Sequence, residues 1–285
     1  MRMWRRFAAN RLALAGLISL ALLVLLAALA GPISPQDPYD LAQLDILNGR
    51  LPPGAVGGDG QIFWLGTDEQ GRDILSAILH GLRVSLFVGG ATALIAGLIG
   101  SILGLAAGYL EGLPETLIMR LVDLQLSFPA ILVALIVLAL TGRGVLHVVL
   151  ALVIVEWAVY ARTAHAAARS ECQRDYIAAA ECVASPRWRI VMRHLLPNCL
   201  PPLSVIATFQ LARAIMLEAT LSFLGVGVQS TEPSLGMLIA EGSQFMLSGR
   251  YWMSVYPGMA LLLAMFSVNL VGDRLRDALN PHLDE

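Results

Sequence analysis

Long apolar runs, broken at regular intervals by short polar stretches, dominate this chain. A bilayer core about 30 Å thick takes roughly 20 apolar residues in a helix, and runs of that length recur. The first spans 12–30. Further spans fall at 82–108, 117–140, 145–163, 200–226 and 255–272. The pattern predicts an all-α integral membrane fold of about six transmembrane helices. The intervening segment 31–81 carries Pro32, Pro35, Pro38, Pro52, Pro53 and several glycines, and reads as an extramembrane loop. The divisions are therefore 1–11 as the N-terminus, 12–30 as the first span, 31–81 as the outer loop, 82–276 as the core and 277–285 as the tail. Ala28-Leu29-Ala30 matches a signal-peptide cleavage pattern, but the run before it exceeds the usual 7–15 residues of such peptides, so it is expected to stay as a membrane helix.

Small residues punctuate the second span at helical spacing. Gly89, Ala93, Gly97 and Ser101 form one row; Ala96, Gly100, Gly104 and Gly108 form the next. In lipid such rows let helix backbones approach closely, so this span should pack tightly on a partner helix, in this chain or another.

Composition sharpens the class. The chain is 57% hydrophobic and 14% charged, against roughly 25% charged in soluble domains. Basic residues are asymmetric. Arg2, Arg5, Arg6 and Arg11 precede the first span. Arg162, Arg169, Arg174, Arg187, Arg189 and Arg193 flank the fourth, and Arg274 and Arg276 follow the last. The 31–81 loop has Arg50 and Arg72 against seven acids. Basic loops stay cytoplasmic, which puts both termini and the 164–199 loop inside the cell and 31–81 in the periplasm. Trp64, Tyr251, Trp252 and Tyr256 fall near outer span ends, where interfacial aromatics belong.

The net charge of −2 gives no reason to expect a nucleic-acid partner. All nineteen basic residues are arginine. Without a lysine there is no Walker A loop, whose lysine contacts nucleotide phosphates, so ATP hydrolysis by that chemistry is excluded. Cys172, Cys182 and Cys199 show no C-x-x-C spacing and the five histidines no H-x-x-x-H pattern. No metal site, cofactor or catalytic set is expected.

Two polar features remain. The cytoplasmic stretch from Tyr176 to Asn198 is too polar to span the membrane yet rich in helix formers. Pro186 suits the first turn of a second short helix, Ser185 should cap it and Pro197 should end it. The small face at Ala178, Ala179, Ala180 and Ala184 fits a groove on a soluble partner, or the segment is simply a solvated loop. Arg213 and Glu218 lie inside the fifth span. A charge at bilayer depth faces the bundle interior or a watery cavity, and five residues turn a helix by about 500°, so the two do not share a face. Each either pairs with another helix or subunit or lines a path. In the outer loop, Asp68, Glu69, Arg72 and Asp73 read as a self-capping turn and helix start, or as contacts for a delivering protein.

Several of these stretches together carry a resemblance. Tyr176 to Asn198 resembles the EAA loop of ABC importer permeases. Aligned on Leu196-Pro197, its alanines fall at Ala179 and Ala180, while Ala178 stands at the glutamate position, Ala184 at the glycine position and His194 at the isoleucine position. Leu65-Gly66-Thr67-Asp68-Glu69-Gln70-Gly71-Arg72-Asp73 resembles the L-G-T-D-x-x-G-R-D stretch of the dipeptide/oligopeptide/nickel permease family, second-subunit type. So do Arg83 to Leu86, Met119 to Asp123, Arg193-His194 with Leu196-Pro197-Asn198, Glu218 to Gly225, Asn269 to Asp273 and Leu275 to Leu279. The match runs in order from about residue 60 to the C-terminus.

The resemblance implies a type I importer permease in the bacterial inner membrane that carries dipeptides, oligopeptides or, alternatively, nickel. It implies four partners besides lipid: a second homologous permease, two ATP-binding subunits that hold the ATP, and an extracytoplasmic solute-binding protein. It also implies that residues 176–198 dock on an ATP-binding subunit. A stand-alone secondary transporter would need an internal repeat and its own coupling residues, and an intramembrane enzyme a nucleophile with a base or a metal set. None of these is visible in the chain.

Overall fold

The computed structural model describes residues 11–38, 40, 44–58, 60–229, 232 and 234–279. Arg2, Arg5, Arg6 and the end of the tail from 280 onward lie outside the described residues. The fold is helical almost throughout. Helix α1 (Arg11–Ala28) is followed by a single turn, α2 (Ala30–Ile33). The outer loop then forms a 3₁₀ turn (Ile46–Asn48) and a small antiparallel hairpin of β1 (Ala55–Val56) and β2 (Ile62–Phe63), with Ala55 opposite Phe63. Next come α3 (Ile74–Leu110), α4 (Leu113–Ser127), α5 (Ala130–Thr141), α6 (Val145–Cys172), α7 (Asp175–Cys182) and α8 (Arg187–Ile190). A π turn (Val191–Leu195) leads into α9 (Leu196–Phe223), and α10 (Leu235–Ser243) and α11 (Trp252–Leu279) complete the chain.

Among the described residues, four helical stretches are long and apolar enough to cross a membrane: Ile74–Leu110, Val145–Cys172, Arg187–Phe223 and Trp252–Asp277. The α4–α5 pair makes a fifth if counted as one span, and the apolar helix Leu14–Ala28 is shorter. The second span starts eight residues earlier than the hydrophobic pattern predicts, at Ile74, and its 37 residues run about 55 Å. Its start is set by Asp73, whose Oδ2 accepts from the Ser76 N–H at 2.8 Å, an N-cap that satisfies an orphan donor of the first turn.

The predicted straight span 117–140 is broken. Helices α4 and α5 meet at 93°. Pro129 sterically bars its predecessor from the helical region, and Phe128 accordingly adopts φ −94°, ψ 142°. The opposite correction applies at Pro197, which does not end a helix. It sits at the start of α9 inside the continuous helical stretch Arg187–Phe223, where the preceding π turn shifts the hydrogen bonds around its missing N–H. Ser185 does not cap α8 either. Pro186 occupies the cap position and no side chain bonds there.

The main seam joins α3 to α6. An added Cβ on Gly100 would stand 2.3 Å from the Trp157 carbonyl oxygen, and one on Gly104 would stand 2.2 Å from that of Ala161. The small-residue row thus packs on a helix of this same chain. Gly89 of the other row meets Ile215 of α9. The largest apolar cluster lies between α3, α5, α6 and α9, around Val88, Ala134, Leu152 and Leu221. A second joins α1, α3, α10 and α11 around Leu23, Leu82, Leu238 and Trp252. Trp252 is therefore buried, whereas Trp64 and Tyr251 are exposed.

Candidate functional site

The segment 176–198 folds as two short helices joined by a tight turn and followed by a π turn. Ile177 (2% exposed), Ile190 (1%) and Leu195 (0%) anchor it to the bundle. Ala178 and Ala179 are exposed, and Ala180 is half-buried. Beyond them Val183, Trp188 and Met192 stand out as exposed large apolar side chains. This surface is more hydrophobic than the small alanine face alone suggests, and it meets the preference of a groove-docking helix for larger apolar anchors.

Ala184 has φ +53°. Left-handed backbone is costly for residues with a Cβ and nearly free for glycine. The glycine position of the resembled motif is thus a left-handed helix terminus, which this chain fills with alanine. The backbone is retained, and the Ser185 N–H bonds to the Ala180 carbonyl at 3.2 Å.

Residues near the loop's second half hold its orientation. Tyr176 Oη donates to Glu171. Asn198 Nδ2 donates to Tyr176 Oη at 3.1 Å and to the His194 carbonyl at 2.7 Å. One amide therefore ties the start of the loop to the π turn that ends it. The Tyr176 and His194 rings lie 6.5 Å apart. Arg193 and Pro197 are exposed, and His194 and Leu196 are half-buried. Sequence reasoning misses Asn198 and Glu171 as site residues; Asn198 is visible there only as the last letter of a motif.

Further polar contacts brace this end of the bundle. His165 Nε2 lies 2.8 Å and Arg169 Nη1 2.7 Å from Glu115 Oε1, and Arg162 pairs with Asp123. Between α6 and α9 opens a cleft of about 540 Å³, lined by Arg162, Thr163, Ser170, Glu171, Asn198 and Pro202 among others.

Within the membrane, Arg213 and Glu218 do not meet. Arg213 Nε lies 3.4 Å from Glu156 Oε1 on α6, and Gln210 Nε2 donates to Glu156 Oε2. Glu156 is a residue that the sequence reading passes over, although an acid inside an apolar run is itself a signal. Glu218 is fully buried and sits among hydroxyls instead. Ser85 Oγ donates to it at 2.7 Å from α3, and Ser222 Oγ at 2.9 Å from one turn on.

In the outer loop the motif residues are buried rather than displayed. Thr67 is 0% exposed, Asp68 4%, Arg72 3% and Asp73 1%. Thr67 Oγ1 donates to the Asn48 carbonyl at 2.6 Å and accepts from the Leu51 N–H at 2.7 Å. Asp68 Oδ1 accepts from the N–H groups of Gln70 (2.8 Å) and Arg72 (2.9 Å). Burial nonetheless holds the Asp68 carboxyl above its ordinary value, outweighing those bonds and Arg72. Gly66 and Gly71 have φ near +80° (+83° and +81°), and a Cβ on Gly71 would lie 2.2 Å from the Asp45 carbonyl oxygen. Of its four charged residues, only Glu69, paired with Arg50, is on the surface, with Gln70 exposed beside it. The motif builds the corner from which α3 starts.

A broken-span helical bundle with a compact polar helical loop is the architecture of ABC importer permeases. The inward-facing MetNI methionine ABC transporter has the same fold: TM-score 0.60 at 20% identity, over 72% of this chain and 96% of that one. Sequence comparison is more specific. Residues 100–285 match the family of the binding-protein-dependent transport system inner membrane component, and residues 1–53 match the N-terminal transmembrane domain of oligopeptide transport permease C. The di/tripeptide transport system permease protein DppC of Pseudomonas aeruginosa is 39% identical, over 98% of this chain and 91% of that protein. The dipeptide permease DppC of Haemophilus influenzae is 37% identical over 99% and 94%. The glutathione transport system permease GsiD of Pectobacterium atrosepticum is 36% identical over 98% and 90%. The chain belongs to the binding-protein-dependent transport system inner membrane component family and is a multi-pass permease subunit of an ABC importer.

Proposed function

We propose that the solute is a di- or tripeptide and that this chain forms half of the path, the other half coming from a second, related permease. The carrying observation is near-full-length identity to relatives named for dipeptides, di/tripeptides and glutathione. An extracytoplasmic binding protein delivers the peptide to the outer mouth. ATP is bound and hydrolysed by two partner subunits, since this chain has no lysine for a Walker A loop. Both termini and the loop 176–198 are cytoplasmic, in keeping with the arginine asymmetry.

The loop acts as the lever. Its exposed Val183, Trp188 and Met192 and the alanines of α7 seat in a groove of the ATP-binding subunit. Asn198, Tyr176 and the unbroken helix Arg187–Phe223 pass the displacement into the bundle. Ala180→Glu is the test. It adds volume and an unpartnered charge at the seat while leaving membrane insertion untouched. Membrane levels should stay near wild type, while recovery of the ATP-binding subunits falls or their ATPase rate no longer responds to loaded binding protein. Full recovery with full peptide-stimulated ATPase in that variant would remove the loop from the mechanism.

A further inference from the structure

The Glu156–Arg213 pair is asymmetric in a way that packing does not explain. Glu156 is sealed, with its side chain 1% exposed, whereas that of Arg213 is 44% exposed. Arg213 lies ten residues before the end of α9, about 15 Å along a helix and so well inside the apolar span. A charge at that depth faces a bundle interior or a watery cavity rather than lipid. Glu156 cannot leave, because its other oxygen accepts from buried Gln210. The carboxylate meets the guanidinium at Nε. An arginine has five N–H donors in a planar fork; Glu156 meets only Nε and the side chain is 44% exposed, and among the described residues no acceptor is bonded to the Nη groups.

The surroundings fit a path. Pro202 lines the cytoplasmic cleft from α9 and Thr163 lines it from α6. Eleven residues separate Pro202 from Arg213 and seven separate Glu156 from Thr163. At about 100° per residue each pair falls within about 20° of one helical face. Arg213 and Glu156 therefore lie on the same faces of α9 and α6 that line the cleft, further along the same helix pair. One turn to either side of Arg213 stand Phe209, half-buried, and Met216, 49% exposed.

We propose that Arg213, positioned by Glu156, is a solute-binding residue on this chain's share of the translocation path, taking the terminal carboxylate of the transported peptide on its Nη groups. This rests on the peptide-permease reading above. Planar, two-pronged recognition of a carboxylate is what a guanidinium does best.

The test uses the complete importer with its binding protein in proteoliposomes. Alanyl-alanine is the transported solute. Wild type should take it up with ATP; failure there would overturn both readings. Arg213→Gln should lower uptake about ten-fold or more, the loss of one charge-assisted contact, with subunit recovery and peptide-stimulated ATPase near wild type. Glu156→Gln with Arg213→Gln should remain as poor. In a chain with its three cysteines replaced by alanine, Met216→Cys should react with a charged, water-soluble thiol reagent, and alanyl-alanine should slow that reaction where alanyl-alaninamide does not. Four results would each overturn the site while leaving the permease assignment standing. They are normal uptake by Arg213→Gln, loss of the second permease from that variant's complex, recovered uptake in the double variant, and an unreactive or equally protected Met216→Cys.

Discussion

Single residues depart from the family pattern where backbone geometry makes the cost visible. Ala184 keeps a left-handed conformation that costs a Cβ-bearing residue about 1–2 kcal/mol. Ala184→Gly should therefore raise the thermal midpoint of the purified permease and slow proteolysis of the loop, with coupling retained. An unchanged or lowered midpoint would mean that the turn is not strained. At Asp68, burial raises the carboxyl pKa above its ordinary 3.8, and its Oδ2 is buried without a hydrogen-bond partner. The folded state thus binds this proton more tightly than the unfolded chain. The associated stability is complete below the unfolded value and is lost as pH rises through the folded one. Asp68→Asn keeps an acceptor for the Gln70 and Arg72 N–H groups and should flatten that slope in thermal melts. A slope as steep as wild type's would place the titration elsewhere.

At the scale of elements, the α3–α6 seam depends on backbone approach. Gly104 faces a carbonyl oxygen and the Ala164 Cβ, at 2.2 and 2.7 Å from an added Cβ, and neither is the flexible end of a side chain. Gly104→Leu should force the helices apart at about 1–3 kcal/mol or more, lowering folded yield in detergent. Gly90→Leu, on the same helix with nothing within 4 Å, serves as the control and should be tolerated. Equal yields would show that the seam yields at no cost. Elements also explain two failures of sequence reasoning. Proline reads in sequence as a helix stop at Pro197 and as nothing in particular at Pro129. Its effect depends on whether the preceding turn can rearrange its hydrogen bonds, as the π turn does before Pro197, or bends away, as at Phe128.

For the whole molecule, the arginine asymmetry assigns a side to each loop. A reporter active only in the periplasm should be on when fused after Gly60 and off when fused after Glu171. The reverse pattern would invert the topology and detach the 176–198 segment from any cytoplasmic ATPase.

The long apolar runs, the proline-rich 31–81 stretch and the polar helical segment 176–198 were legible because each is a local property of composition, and bilayer thickness converts run length into spans directly. The motif residues were legible as a set of letters, but not what they do. Gly66, Thr67, Asp68, Gly71, Arg72 and Asp73 close a buried corner, since backbone turns and N-caps look the same in sequence as a displayed recognition surface. Tertiary structure alone decided the partners of the intramembrane charges. Arg213 meets Glu156 from 57 residues away, and Glu218 meets Ser85 from α3. Those pairings depend on the rotation and depth at which helices cross, which close packing at the small-residue rows sets and no single helix encodes.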